Sequence, residues 1–241
     1  FFPMCAVNKQ KLYITIEFNT QTYFTNSKRP SIDFVNQAKL IVETITLRQE
    51  ERLKYMEESF NVIINDVYKE PQTQISTDTN KFNITVNFPV ALSTWFFRRK
   101  IYEQDSIELF DSHYNLGYTF TENVLYKTID PFEFMTLFIN NFEFTPKIEG
   151  RMFYKFLQPI NYNLSTPAKE IYMYCYGATP KEYNTGGTFD FSKVESKSTY
   201  INYKLNPDVA TDITSNYTFN MYHYGYNVLR FADGYASLLF L

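Results

Sequence analysis

Lys81-Phe-Asn-Ile-Thr-Val-Asn-Phe88 alternates without a break, with Phe82, Ile84, Val86 and Phe88 on one side and polar residues on the other. Successive side chains of an extended chain project to opposite faces, so the pattern predicts a strand with one buried and one wetted face. Upstream, the polar tract Glu70 to Asn80 reads as a loop, and Asn61 to Tyr68 reads as the strand before it. A charged helix from about Arg48 to Ser59 is expected next: Thr46 and Gln49 have capping-box spacing, Leu53, Met56 and Phe60 recur at helical intervals, and Glu50 precedes Lys54 by one turn. Before it, Leu40 to Leu47 and the alternating Lys11 to Phe18 read as two more strands.

Downstream, further strands are expected at Ile107 to Phe110, Phe132 to Phe144, Arg151 to Leu157, Glu170 to Tyr176, Thr199 to Leu205, Tyr217 to Tyr222, Asn227 to Phe231 and Tyr235 to Phe240. Their separators are rich in Pro, Gly, Asn, Asp and Thr. Many strands joined by loops of uneven length, with almost no helix, indicate an all-β two-sheet sandwich. No repeat of fixed period marks a propeller or solenoid.

The 241 residues allow a substantial core, and 24 Phe with 21 Tyr supply flat rings suited to a pleated surface. A net charge of -3 provides no overall positive field for direct nucleic-acid contact. The basic cluster Arg98-Arg99-Lys100 follows Trp95-Phe-Phe97 and reads as the solvated end of a strand or helix. Cys5 and Cys175 are far apart, and Cys175 shares a face with Ile171 and Met173, as expected for a buried free thiol. The apolar runs are too short to span a bilayer.

The residues that carry chemistry are sparse. His113 and His223 are the two histidines, and neither has metal-ligand spacing, so no metal or cofactor is expected. His223, in Met221-Tyr-His-Tyr-Gly225, reads as a packed hydrogen-bonding group among tyrosines. No nucleophile elbow, Walker loop or dinucleotide fingerprint occurs, so no catalytic residue is expected, and substituting His113, His223 or any carboxylate should affect stability or assembly alone. Sequons begin at Asn83, Asn163 and Asn216; in an Asn- and Thr-rich chain such triplets arise readily by chance.

One succession is more specific. Met152-Phe-Tyr-Lys-Phe-Leu-Gln158-Pro159 leads to Glu170-Ile-Tyr-Met-Tyr-Cys-Tyr176, then Thr185-Gly-Gly187, Thr188-Phe-Asp-Phe191-Ser192-Lys193-Val-Glu195 and Tyr226-Asn227-Val228-Leu229-Arg230-Phe-Ala-Asp-Gly234. In Asn227 to Arg230 alternation sets Val228 and Arg230 on one side and Leu229 on the other, so one strand serves a core and a polar contact. This order resembles the C-terminal half of the major capsid proteins of nucleocytoplasmic large DNA viruses. There a Gln-Pro pair, a Tyr-bearing strand, a glycine turn into Asn-Phe-Ser-Arg and a closing Tyr-Asn-Val-Leu-Arg strand follow one another. Asp190, Lys193 and Glu195 stand where that family favours Asn, Arg and Asp, which suggests a divergent branch.

The resemblance implies a jelly-roll β-sandwich: residues 1-47 would be the final strands of a first jelly roll, 48-60 a linking helix and 61-241 a complete second jelly roll. It implies a structural protein and not an enzyme: a homotrimer with a pseudo-hexagonal outline, tiling an icosahedral virion capsid beside neighbouring capsomers and minor capsid proteins, near an inner viral membrane and assembled in host cytoplasm. A poxvirus-type scaffold shares the fold. The rival from another class is a carbohydrate-binding or glycoside-processing sandwich, using tyrosines and Trp95 as stacking platforms. The natural protein is expected to be longer, with most of a first jelly roll before Phe1, because Lys11 to Phe18 and Leu40 to Leu47 each have a strongly apolar face and cannot form a core alone. A fragment of Phe1 to Phe60 should then aggregate or stay disordered, whereas one from near Asn61 should fold.

Overall fold

A computed structural model of the chain describes residues 2–16, 39–100, 129–180 and 186–240. The strands are β1 (Phe60–Lys69), β2 (Thr79–Asn83), β3 (Pro89–Arg99), β4 (Phe132–Ile139), β5 (Phe142–Glu143), β6 (Ile171–Cys175), β7 (Phe189–Asp190), β8 (Tyr200–Leu205), β9 (Tyr217–Ala232) and β10 (Tyr235–Leu238). One sheet has the order β1-β9-β3-β6, with β7 on β3 and β10 on β9; the other has the order β2-β8-β4-β5. Setting aside short β7 and the hairpin return β10, eight strands remain. The first pairs with the last, the third with the sixth, the second with the seventh and the fourth with the fifth. A long hairpin wrapped over on itself produces this order, which is that of a jelly roll.

The described residues fall into two compact units. The larger comprises residues 65–100, 129–180 and 186–226, and its core is aromatic. The predicted alternation is realised there: Phe82, Ile84, Val86 and Phe88 are all buried, although the β2 ladder stops at Asn83. Phe82 on β2 meets Phe219 on β9, and Phe132 on β4 meets Phe97 on β3 in a tilted pair and Tyr172 on β6 edge to face, so rings from the two sheets close the sandwich.

Several expected boundaries change. Phe132 to Phe144 is two strands, because Asn140 and Asn141 both take positive φ (51° and 63°) and make a two-residue hairpin turn between Ile139 and Phe142. Tyr217 to Tyr222 and Asn227 to Phe231 are one 16-residue strand, β9. Arg151 to Leu157 is not a strand: π-helical Arg151–Leu157 runs into α-helical Gln158–Asn161, together called α2 below. The i, i+4 spacing of Arg151 and Lys155 explains this, since both reach Glu170 from one helical face. Pro89 to Arg99, of which only the basic Arg98-Arg99-Lys100 end was read, as the end of a strand or helix, is a central strand, and a helix, Pro207–Asn216, joins β8 to β9. The expected strand at Ile107 to Phe110 lies outside the described residues, as does His113.

The smaller unit comprises residues 2–16, 39–64 and 227–240. Its helix α1 spans Gln49–Glu57, inside the predicted range, but its N-terminal bond is donated by Arg48 N to Glu51 Oε2 (3.2 Å) and not made by Thr46 and Gln49. Phe60 stacks on Phe231 at 4.8 Å, and Phe2 meets the same ring edge on. Glu17 and Phe18 of the first expected strand lie outside the described residues, among which residues 11–16 and 40–47 form no ladder. Their apolar side chains stay exposed, Ile41 at 94%. The β9–β10 hairpin turns on Asp233 and Gly234, with φ of 54° and 82°. Replacing Gly234 by valine should destabilise this hairpin by about 2 kcal/mol or more, since a Cβ is disfavoured at that φ and would also press on the Asn8 side chain; denaturant titration measures it.

Candidate functional site: the buried clusters that hold the motif residues

The motif residues do not converge on one pocket. Gln158 and Pro159 are buried in α2, and Gln158 Oε1 accepts the Cys175 N–H at 3.0 Å, fastening the helix to β6. Cys175 is a buried free thiol as expected, its pKa pushed up to about 12 by burial; Cys5 is also free. Phe191 packs edge to face against Tyr176 and Phe189. Beside it, Asp190 Oδ1 accepts bonds from Ser192 N (3.1 Å) and Ser192 Oγ (2.6 Å), and the exposed Lys193 Nζ lies 3.1 Å from Asp190 Oδ2. Gly187 takes a left-handed φ of 101°.

In the smaller unit, Asn227 clamps the end of the chain. Its Oδ1 accepts from Val228 N (2.8 Å) and Phe240 N (3.2 Å), and its Nδ2 donates to Phe240 O (2.9 Å). Leu229 pairs with Leu238 and Arg230 with Ser237 across the hairpin that Gly234 closes. Every motif residue described so far has a packing or hydrogen-bonding task.

Two polar clusters in the larger unit were not foreseen. The first surrounds Glu170, which is 1% exposed. Lys155 Nζ lies 2.6 Å and Arg151 Nη2 3.0 Å from its Oε1, and the Tyr172 hydroxyl donates to its Oε2 at 3.0 Å. Arg151 also donates to Ile129 O (2.6 Å) and, through its backbone N–H, to Asp130 Oδ2 (2.5 Å). Burial raises the Asp130 carboxyl above its ordinary pKa despite hydrogen bonds from Phe132 and Arg151. The cluster ties α2 to the starts of β4 and β6.

The second cluster is built on His223. Its Nδ1 lies 2.6 Å from Ser93 Oγ and its Nε2 3.1 Å from Glu70 Oε1. Glu70 also accepts bonds from Thr85 N (2.7 Å), Thr85 Oγ1 (2.6 Å) and Val86 N (3.0 Å). Serine, histidine and glutamate are the residue types of a hydrolytic triad, but Ser93 and His223 are 0% and Glu70 1% exposed, so the hydroxyl faces no solvent from which a substrate could come. The imidazole is the packed hydrogen-bonding group expected of it.

Other candidate features are also placed. Lys100 Nζ donates to Thr214 O (3.0 Å) and Ser215 O (2.8 Å) at the C-terminal end of the Pro207–Asn216 helix, and Arg99 Nε donates to Tyr217 OH (3.1 Å). The basic cluster thus serves the fold at a helix's negative end. Trp95 is 1% exposed and packs against Tyr154, so it offers no stacking platform for a sugar, contrary to the carbohydrate reading. Asn83, Asn163 and Asn216 are exposed. No helix among the described residues is long and apolar enough to cross a membrane, and no cluster among them has the composition to hold a metal ion.

Comparison with known families decides what this fold belongs to: residues 51–237 match the family model described as large eukaryotic DNA virus major capsid protein. The chain belongs to that family. Its members are structural proteins of the virus shell and not enzymes. Among solved structures, the chain is similar to Vp54 of the virus PBCV-1, fitted into a reconstruction of the virophage Sputnik, with 16% identity and a TM-score of 0.60 over 81% of this chain and 55% of that one. The Faustovirus major capsid protein matches at 12% identity and a TM-score of 0.51, over 77% of this chain and 36% of that one. This capsid-family chain therefore spans about half the length of Vp54. A search of curated proteins gives no match.

Proposed function

We propose that this chain is the C-terminal portion of a capsomer subunit: a homotrimer of doubled jelly rolls with a pseudo-hexagonal outline, tiling an icosahedral shell beside other capsomers and minor capsid proteins. The observation that carries the reading is the strand order β1-β9-β3-β6 and β2-β8-β4-β5 in a chain of the capsid family. On this reading residues 61-241 are the second jelly roll, 48-60 the link and 1-47 the last strands of the first. The exposed apolar residues Leu12, Ile14, Ile16, Leu40, Ile41 and Val42 support it, because unladdered apolar segments need strands from elsewhere. Assembly in host cytoplasm, near an inner membrane and without direct nucleic-acid contact, follows from the same reading.

Mass measurement of the protein at micromolar concentration should give three times the mass of one subunit, which for this chain is 28.6 kDa. Negative-stain images should show a threefold particle with a six-sided outline. A clean monomer across the concentration range would overturn the capsomer reading.

A further inference from the structure

Neither the family assignment nor the capsomer reading uses the buried His223 cluster, and its geometry has a consequence of its own. Glu70 directly follows β1, and its N–H donates to Met221 O on β9 at 2.9 Å. Its carboxylate then takes the Thr85 and Val86 N–H groups, so this one side chain holds the segment leading into β3. His223 of β9 bonds the carboxylate from one side and Ser93 of β3 from the other. We propose that Glu70, His223 and Ser93 form an acid-sensitive latch that pins the Thr85–Val86 segment to the six-stranded sheet and releases it as pH falls below about 6.5.

The groups facing the imidazole are Glu70, Ser93, Tyr176, whose hydroxyl lies 3.4 Å from Ser93 Oγ, and the Phe191 ring at 6.0 Å. Glu70 can only accept, so Nε2 carries the proton; in the neutral imidazole Nδ1 accepts from the Ser93 hydroxyl at 2.6 Å, which takes the proton that Ser93 would otherwise donate to Tyr176 OH. Burial raises the Tyr176 hydroxyl well above its ordinary pKa, so it stays neutral and adds no charge. Burial likewise holds His223 below its ordinary 6.5, with Glu70 opposing in part. For Glu70, desolvation acts upward, but bonds from His223 and Thr85 outweigh it and leave the carboxyl below its ordinary 4.5.

The two shifts act with one sign. A depressed histidine contributes stability that is complete above 6.5 and is lost as pH falls from there toward its folded pKa; the depressed carboxyl contributes stability lost as pH falls below about 4.5. The opened latch exposes an imidazole of ordinary basicity, and protonating it draws the equilibrium toward the open form. Acid therefore acts in two steps, the histidine's first.

Hydrogen exchange of the Thr85 and Val86 amides in the full chain, corrected for intrinsic rates, reads the latch directly. Between pH 7 and 5 their protection should fall on the order of tenfold, since each pH unit across the window changes the opening equilibrium by up to tenfold. The chain has two histidines, which makes attribution simple. His113→Gln should keep the pH dependence, and His223→Gln should remove it. Should His223→Gln fail to fold, titrating the His223 ring by NMR in the unaltered protein decides: a pKa below 6.5 supports the latch. Protection that is flat or rises toward pH 5, a ring pKa at or above 6.5, or loss of the pH dependence in His113→Gln would each overturn it. An imidazolium paired with Glu70 would give the rising protection.

Discussion

Replacing Glu170 by alanine is expected to lower the unfolding free energy by about 3–5 kcal/mol, the cost of stripping a partner from buried charges. Lys155 is 6% exposed, and its ammonium would lose the carboxylate 2.6 Å away. Arg151 would keep Ile129 O and lose both its contacts to Glu170, while the Tyr172 hydroxyl would lose one of its two carboxylate acceptors. Glu170→Gln keeps an acceptor oxygen and much of the shape, so its loss should be smaller. The comparison is Glu133→Ala. Its partner Lys204 Nζ lies at a similar 2.7 Å, but these side chains are 43% and 38% exposed, and water replaces the pair at a cost of about 0–1 kcal/mol. Urea titration of the three variants checks the ranking; equal losses for Glu170→Ala and Glu133→Ala would show that the cluster is open to water.

The sandwich was legible in several segments with strict alternation, although Lys11 to Phe18 alternates as strictly and its described part forms no ladder. Lys81 to Phe88 buries the face its alternation predicts, and β6 and β8 lie within the expected Glu170 to Tyr176 and Thr199 to Leu205, because period two is imposed by backbone geometry whatever packs above it. β3 was missed because its residue types do not follow its faces: Ser93 shares the buried face with Trp95 and Phe97, while Leu92 and Phe96 sit on the half-buried face, so no clean apolar and polar alternation remains. The helix before β9 did leave a signal. Asn206 caps it, accepting from Asp208 N at 3.1 Å, Pro207 follows at the first turn, and Val209, Ala210 and Ile213 are buried at helical spacing. In α2 the chain reads equally well in either period until Arg151 and Lys155 find Glu170, a contact local sequence does not announce.

The clusters were less legible than the fold for the same reason. Glu70 sat in a polar tract that reads as a loop, yet it is buried because Thr85, Val86 and His223 converge on it from positions 15 to 153 residues away. The motif residues were found by their order along the chain, and their tasks became visible only in space. Gln158 reads as a polar residue before a proline, but it bonds the backbone of β6; Asn227 reads as one strand residue, but it binds the chain end at Phe240. A buried polar side chain is selected by its partners, which local periodicity does not encode.

Replacing Phe97 by alanine is expected to cost about 3–5 kcal/mol, the range for deleting a buried aromatic ring. Phe97 is 0% exposed and stands opposite Phe219 in the β3–β9 ladder, with the ring centroids 5.5 Å apart. Phe132 on β4 and Tyr203 on β8 approach from the other sheet, at 5.2 and 6.4 Å. Its removal therefore opens a cavity where the sheets meet and strips three rings of contacts at once. The neighbours are aromatic and held by one another, Tyr203 stacking on Phe219 at 5.2 Å, so they have little freedom to collapse into the gap. Phe97→Leu should lose less, because it keeps four carbons in the same space. Phe142→Ala removes the same side chain where it is 79% exposed, and should change the stability of the subunit by about 0.5 kcal/mol or less. Denaturant titration of the three variants tests the assignment of the core. A Phe97→Ala loss no larger than that of Phe142→Ala would mean that the sheets are not joined through this cluster.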